Sequence, residues 1–342
     1  MKKVLLGLSG GVDSAVAGKY LLEKGFDVCG AFLNMHGYSE NGYESALSVA
    51  KSIDIDLIKI DLIEAFKEIV IKNFINEYSM ARTPNPCVVC NPNVKFKGLY
   101  DYAIENGFDN IATGHYARVV EKDNLFYIKR KENDPKDQSY VMYRLGQDIL
   151  SRLMLPIGEF ESKAKVREYA KKANLPVYNA PDSQEICFLP PDVDYKQYLI
   201  DSGLILNKGN FIDKNGCVLG QHKGIINYTI GQRRGLEISL GKRVFVTKIN
   251  KETNEVVIGE NDDLMVKEIK FKDAFFSSNI YQKEMNVYSK IRYNDVLTKA
   301  KIILNDDKTG VAIFENEKRA SCPGQSIVFY DENLLLGGAI IC

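Results

Sequence analysis

The sequence predicts an α/β protein: an N-terminal parallel sheet with helices on both faces, then a small central β-rich domain and a C-terminal β-barrel. Three observations predict it. Over the first 115 residues, short apolar runs alternate with stretches of helical spacing, the pattern of strands joined by crossover helices. A glycine-rich turn directly follows the first apolar run, at the strand end where such sheets bind ligands. After about Tyr195 the texture changes to short β-rich runs separated by turn signals such as DKNG, NKETNE, GEND and NDDKTG. The expected division is residues 1–198, 199–268 and 269–342.

In chain order, KVLLGL is an apolar run leading into glycines and reads as a strand, and residues 14–24 have helical spacing closed by Gly25. DVCGAFL is the next strand, 43–53 a helix, DLIKI a strand, 62–78 and 95–106 helices, and NIAT a strand. Residues 117–130, around RVVEKDNLFYIKR, read as a hairpin turning at Asp123-Asn124, and 161–174 as a helix rich in Lys and Ala.

At 342 residues the chain exceeds what one core usually supports, in keeping with several domains. With 45% hydrophobic and 26% charged residues, no apolar run approaches the about 20 residues of a membrane span. The first residues read as a strand and not a leader, because the apolar stretch runs into Gly-Gly-Val-Asp with no small-residue cleavage site. Seven unevenly spaced cysteines then suggest reduced thiols in a cytoplasmic protein, serving metal binding or catalysis.

The net charge is zero, yet residues 221–251 carry seven Lys or Arg against Glu237 alone, a local footprint for a polyanion. A second basic stretch, 162–172, holds five against Glu168 and reads as a solvated helix face.

The turn LGLSGGVDSAV is built to hold phosphate. Gly10 and Gly11 let backbone N–H groups approach closely, Ser9 and Ser14 supply hydroxyls, and the helix starting near Asp13 adds its positive end. Asp13 is a candidate magnesium ligand. Gly7, Leu8 and Val12 complete the candidate cradle, which lacks the Gly-Lys-Ser/Thr ending of a Walker loop and the spacing of a dinucleotide fingerprint.

Chemistry of another kind sits at TPNPCVVCNPNV (83–94). Prolines 84, 86 and 92 stiffen the segment, so it reads as a rigid loop presenting Cys87 and Cys90 on one side. A further thiol, Cys187, lies in DSQEICF (182–188). Cys29, Cys217, Cys322 and Cys342 have no partner at a useful spacing.

SGGVDS after the first strand resembles the pyrophosphate loop of the ATP pyrophosphatase (PP-loop) superfamily. Together with TPNPC..CN..VKF, ATGHYAR, KDQSYVMY, DSQEICF, GQRRGL, KIRY and PGQS, in that order up to Ser326, the chain resembles the tRNA-specific 2-thiouridylases. The resemblance implies an adenine nucleotide alpha hydrolase-like PP-loop domain, a small central domain and a C-terminal barrel. It implies ATP- and magnesium-dependent thiolation of the wobble uridine of certain tRNAs: the C2 oxygen is adenylated, and sulfur then displaces AMP.

By the same resemblance Cys187 carries a persulfide received from an upstream sulfur donor protein; inorganic sulfide is the alternative sulfur source. Cys90 is then the nucleophilic partner of Cys187. Many family members have aspartate where Cys87 stands, and that departure opens another route. Cys87, Cys90 and Cys187 could instead ligate three irons of a [4Fe–4S] cluster whose fourth iron binds sulfide, or a zinc ion.

Leu33 is expected against adenine and Gly114 beside the nucleotide. Asn85, Pro86, Cys87 and Gln325 are expected around the extruded uridine, His115 on a phosphate or base, Lys136, Asp137 and Gln138 against tRNA, and Arg233 and Arg234 on its backbone. Arg292 with Tyr293 combines a phosphate contact with base stacking. Two other readings stay open: a PP-loop ligase for a small molecule, and a non-catalytic iron–sulfur or zinc RNA-binding module.

Overall fold

The structure, a computed structural model, describes residues 1–342 except 37–39, 133, 182–185, 191 and 280. β1 (Lys3–Gly7) leads to α1 (Val12–Glu23), and β2 (Asp27–Asn34) to α2 (Glu40–Ser52). After β3 (Leu57–Asp61) comes a helical stretch made of α3 (Ile63–Phe66), a π-helical turn (Lys67–Ile71) and α4 (Lys72–Ser79). α5 (Pro86–Cys90) passes through a second π turn (Asn91–Lys95) into α6 (Phe96–Glu105), which returns to β4 (Asn110–Ala112). The hairpin β5 (Arg118–Lys122) and β6 (Leu125–Lys129) follows, then α7 (Gln147–Leu150), β7 (Leu153–Met154), α8 (Lys163–Lys172) and α9 (Tyr195–Asp201).

The first sheet has the order β3-β2-β1-β4-β7, every pairing parallel. Its strands are buried on both faces, which is why Val4, Leu5 and Leu6 form an unbroken apolar run instead of alternating. The chain winds outward from β1 through β2 and β3, then crosses back to place β4 on the other side. The crevice between the carboxyl ends of β1 and β4 is therefore the ligand-binding switch point of the sheet.

The cysteine segment differs from the rigid loop expected. Asn85 caps α5, its Oδ1 accepting from the Cys87 N–H at 3.1 Å, and Pro86 occupies the first turn, where a missing N–H costs no helical bond. Pro92 falls in the π turn, which carries the helix past a residue that lacks a donor. At 118–129 the expected hairpin forms. Asp123 (φ 53°) and Asn124 (φ 61°) both adopt the left-handed conformation that a two-residue turn requires.

The central strands β8 (Gly209–Ile212), β9 (Val218–His222), β10 (Phe245–Asn250) and β11 (Glu255–Gly259) form a sheet ordered β10-β11-β8-β9 over Phe211, Val246 and Val256. The last six are β12 (Met265–Phe276), β13 (Glu284–Lys290), β14 (Thr298–Leu304), β15 (Gly310–Arg319), β16 (Ser326–Asp331) and β17 (Leu334–Ile341). They run β12-β15-β14-β13-β16-β17, and pairing of β12 with β17 closes them into an antiparallel barrel. Buried Ala300, Ile302 and Leu304 alternate along β14, and Phe271 and Phe276 meet Phe329 inside.

The barrel is joined to the first part of the chain. Lys129 of β6 pairs with Leu334 of β17, the Tyr140 hydroxyl donates to Ser326 O at 2.8 Å, and Ser139 Oγ lies 3.0 Å from Tyr330 OH. Among the described residues, no helix is long and apolar enough to cross a membrane.

Candidate active site

The turn after β1 is shaped for an anion. Gly11 is the N-cap of α1 and no side chain caps it, so the first N–H groups of the helix are left facing the crevice. Gly10 has φ +81°, and a Cβ there would lie 2.7 Å from Ser45 Cβ and 2.8 Å from Ala46 N, so no other residue fits. Ser45 Oγ donates to Gly10 O at 2.9 Å, and Ser14 Oγ donates to Gly11 O at 3.0 Å while accepting from Ser9 N at 3.2 Å. Val12 turns into the core, 4% exposed. Gly114, past β4, sits flush against this turn: a Cβ on it would be 2.7 Å from Ser14 N and 2.8 Å from Asp13 C.

Asp13, the candidate magnesium ligand, is held by two neighbours in this structure. Both carboxylate oxygens lie 2.7 Å from Lys163 Nζ, and Oδ1 also accepts from Tyr116 OH at 2.6 Å. Lys163 opens α8 inside the stretch expected to be a solvated helix face, yet its side chain is only 15% exposed. Charge counting could not find it, because position on α8 decides which lysine points inward. Tyr116 lies within ATGHYAR, and that motif was its only signal.

A cavity of 470 Å³ occupies the switch point. Its lining includes Gly7, Leu8, Ser9, Asp13 and Ser14 of the turn, Phe32 and Leu33 of β2, and Gly114, His115, Gln138, Lys95 and Cys187. The His115 Nδ1 is 2.8 Å from Thr113 Oγ1, and its ring lies 5.3 Å from that of Phe96. Burial, reinforced by the nearby Lys95 charge, pushes His115 down to about 3, so the imidazole is neutral at neutral pH. Gln138 accepts from Tyr116 N at 2.9 Å. A larger hollow of 560 Å³ lies on the barrel beside Tyr288, Lys299 and Glu315, lined by neither thiol nor glycine turn.

Cys187 is exposed and lines the cavity, and Cys87 is exposed on α5. Cys90 is 6% exposed, with Sγ 3.9 Å from Sδ of the cavity residue Met35. Burial pushes the Cys90 thiol up to about 12; Lys95 pulls it down, and Cys187 and Cys87 raise it. The Cys187 thiol, on an exposed residue but set in the cavity wall, is raised as well by the protein that crowds water from around it, again against Lys95. The three thiols thus share one electrostatic neighbourhood, with Lys95 its cation. Among the described residues, however, no three Cys, His, Asp or Glu are placed to hold a metal, so neither the iron–sulfur nor the zinc ligand set is assembled. Residues 182–185 of DSQEICF lie outside the described residues.

The residues expected to meet tRNA divide by exposure. Lys136, Arg233 and Arg234 are exposed. Asp137 is 6% exposed, and its carboxylate already accepts from Lys131 N (3.0 Å) and Ser139 Oγ (2.7 Å), so it secures its own loop. Arg292, expected on phosphate, is half-buried and donates to Ala320 O, to Ile230 O at 3.5 Å and to Cys322 Sγ at 3.1 Å. Tyr293 meets Tyr140 edge-on, with ring centroids 6.2 Å apart. Gln325 Nε2 donates to Thr83 O at 2.8 Å and Pro84 O at 3.2 Å, which puts it on the chain just before Asn85 and Pro86.

Residues 2–191 match the family described as tRNA methyl transferase HUP domain, 197–260 the tRNA methyl transferase PRC-barrel domain, and 261–341 the aminomethyltransferase beta-barrel domain. Among similar proteins, the tRNA-specific 2-thiouridylase MnmA 2 of Clostridium botulinum is 44% identical over 99% of this chain and 98% of its own length. The tRNA-specific 2-thiouridylase MnmA of Clostridium acetobutylicum is 44% identical over 99% of each chain, and MnmA 2 of Clostridium tetani 44% identical over 99% of this chain and 98% of its own.

Proposed function

The chain belongs to the tRNA-specific 2-thiouridylase family, and from that premise we propose that it uses ATP to replace the C2 oxygen of a tRNA wobble uridine with sulfur. One observation carries the reading: a single 470 Å³ cavity is lined both by the phosphate-binding turn, through Ser9, Asp13 and Ser14, and by the Cys187 thiol. A sulfur-inserting enzyme needs the activating and sulfur-donating groups at one carbon; a small-molecule ligase needs no thiol there.

The α1 amides, Ser9 and Ser14 hold the pyrophosphate end of ATP, and Leu33 flanks the adenine. With Asp13 engaged by Lys163, magnesium does not fit at that carboxylate in this form, and neutralising the phosphates falls to Lys163 and the helix end. The uridine, extruded past Asn85, Pro86 and Cys87, brings its C2 oxygen to the α-phosphorus; the P–O bond forms and pyrophosphate leaves. The terminal sulfur of a Cys187 persulfide attacks C2 and AMP departs with the oxygen. Cys90 displaces the remaining sulfur linkage, leaving a Cys90–Cys187 disulfide for an external thiol to reduce.

Burial keeps Cys90 protonated in the resting form, so it stays inert until arrival of the substrate changes its surroundings. Cys87, in the place of the family's frequent aspartate, is a third thiol beside this pair. The persulfide comes by sulfane-sulfur transfer from a persulfide on an upstream donor protein, whose own thiol is released. Residues 1–198 perform the chemistry in the cytoplasm, while 199–268 and 269–342 hold the tRNA, with Lys136, Gln138, Arg233 and Arg234 on its backbone, Tyr293 against a base and His115 beside the uridine.

The test is purified protein with tRNA, ATP, magnesium and a persulfide-bearing sulfur donor, following pyrophosphate, AMP and 2-thiouridine. Cys187→Ser should release pyrophosphate and leave the uridine adenylated, yet yield no thiolated tRNA. AMP formation by the wild type without tRNA, or thiolated product from Cys187→Ser, would overturn the scheme.

A further inference from the structure

The barrel reaches the thiols through one turn. Residues 320–325 lie between β15 and β16, tied down by Gly324 N–H to Ile341 O (3.0 Å) and Ile341 N–H to Gln325 O (2.8 Å). From this platform Gln325 Nε2 donates to the carbonyls of Thr83 and Pro84, and Pro323 O accepts from Thr83 N–H at 2.9 Å. The far side of the same strand of chain is held by Arg82, whose guanidinium grips both oxygens of Glu77 at 2.8 and 2.7 Å.

The pinned residues are a lever. Pro84 and Pro86 have fixed φ, so once the carbonyls of Thr83 and Pro84 are set, little freedom remains before α5 begins. α5 carries Cys87 and Cys90. The turn is also tied to the central sheet's loops, because Arg292 donates to Ala320 O and Cys322 Sγ on one side and to Ile230 O on the other.

We propose that Gln325 is a positioning residue that sets where Cys87 and Cys90 lie, and that it links the tRNA-holding parts of the chain to the sulfur chemistry. The inference rests on the thiolation reading for its functional half alone. The clamp itself is a property of the free protein and is measured without tRNA or ATP.

Two substitutions attack it from different sides. Gln325→Glu keeps the size, removes both donors and sets a carboxylate against two carbonyl oxygens. Gly324→Ala adds a Cβ 3.0 Å from Arg82 Cβ and 3.1 Å from Thr83 N at a φ of +89°, a strained conformation for alanine. Each variant and the wild type are labelled with iodoacetamide under native conditions, and alkylation of buried Cys90 is read by mass spectrometry relative to half-buried Cys29 on β2. General loosening raises both rates together; loss of the clamp raises Cys90 alone.

The expected result is a Cys90-to-Cys29 labelling ratio about tenfold above wild type, with thiolation kcat about tenfold lower and the KM for tRNA within twofold. Gln325→Met, of similar volume and without a donor, should match Gln325→Glu. A ratio within twofold of wild type in all three variants overturns the clamp even if the wild type thiolates tRNA. A raised ratio in a protein that never thiolates tRNA upholds the clamp and overturns the thiolation reading alone.

Discussion

Replacing Lys163 with methionine leaves the Asp13 carboxylate facing Tyr116 without its cation. The ammonium sits 2.7 Å from both oxygens, and the two side chains are 15% and 30% exposed. An exposed pair typically contributes about 0.2–1 kcal/mol, whereas breaking a fully buried one costs about 3–5 kcal/mol. With exposures between those limits, and a phenol still bonded to the carboxylate, the loss should be about 1–2 kcal/mol. In a chain of this size that lowers Tm by a few degrees.

The assay is thermal unfolding of Lys163→Met, Asp13→Asn and the double variant. A coupling energy of about 1 kcal/mol isolates the pair from each side chain's other contacts. Lys163→Met should also form AMP at least tenfold more slowly, because the charge that meets the phosphates is gone. Additive effects in the cycle, together with AMP formation at the wild-type rate, would refute both the structural and the chemical parts of this reasoning.

Gly114→Ala should weaken ATP binding about tenfold or more and cost about 1–3 kcal/mol of stability, since the new methyl must displace the Ser14 amide 2.7 Å away; calorimetric titration and thermal unfolding check it. For His115, depressed from an ordinary value near 6.5 to about 3, the unfolded chain takes up a proton first as pH falls. Its contribution is therefore present above about pH 6.5 and lost toward pH 3, at up to about 1.4 kcal/mol per pH unit, and His115→Gln should flatten that limb of the stability curve. Arg233→Ser and Arg234→Ser should each weaken tRNA binding and reduce the log–log salt slope by roughly 0.7–0.9, read from binding titrations at several salt concentrations.

Local signals carried the first sheet. Apolar runs such as KVLLGL and DVCGAFL stand next to helical spacing in the same short windows, and glycines after β1 and β4 mark the switch point without knowledge of pairing. The Asp123-Asn124 turn was legible because φ above zero is a property of the turn residues themselves. What could not be read was reach. Nothing in the composition of 162–172 says that Lys163 alone turns inward to Asp13, some 150 residues away in sequence. The motifs of the resemblance place Arg292 and Gln325 against RNA, and no local signal shows that their donors also reach Ile230 O and Thr83 O in other parts of the chain. Three prolines make the cysteine segment look like a loop, yet the Asn85 N-cap and a π turn accommodate Pro86 and Pro92 within helix.

The stitching of the β5–β6 ribbon and residues 139–143 to the barrel has a consequence for synthesis. Ser139 and Tyr140 leave the ribosome 191 and 186 residues ahead of their partners Tyr330 and Ser326. The nascent nucleotide-binding half must therefore wait, its buried tyrosines unsatisfied and a ribbon edge bare, until the final strands emerge. A message truncated before β16 should then yield a chain that aggregates or is degraded instead of a working fragment.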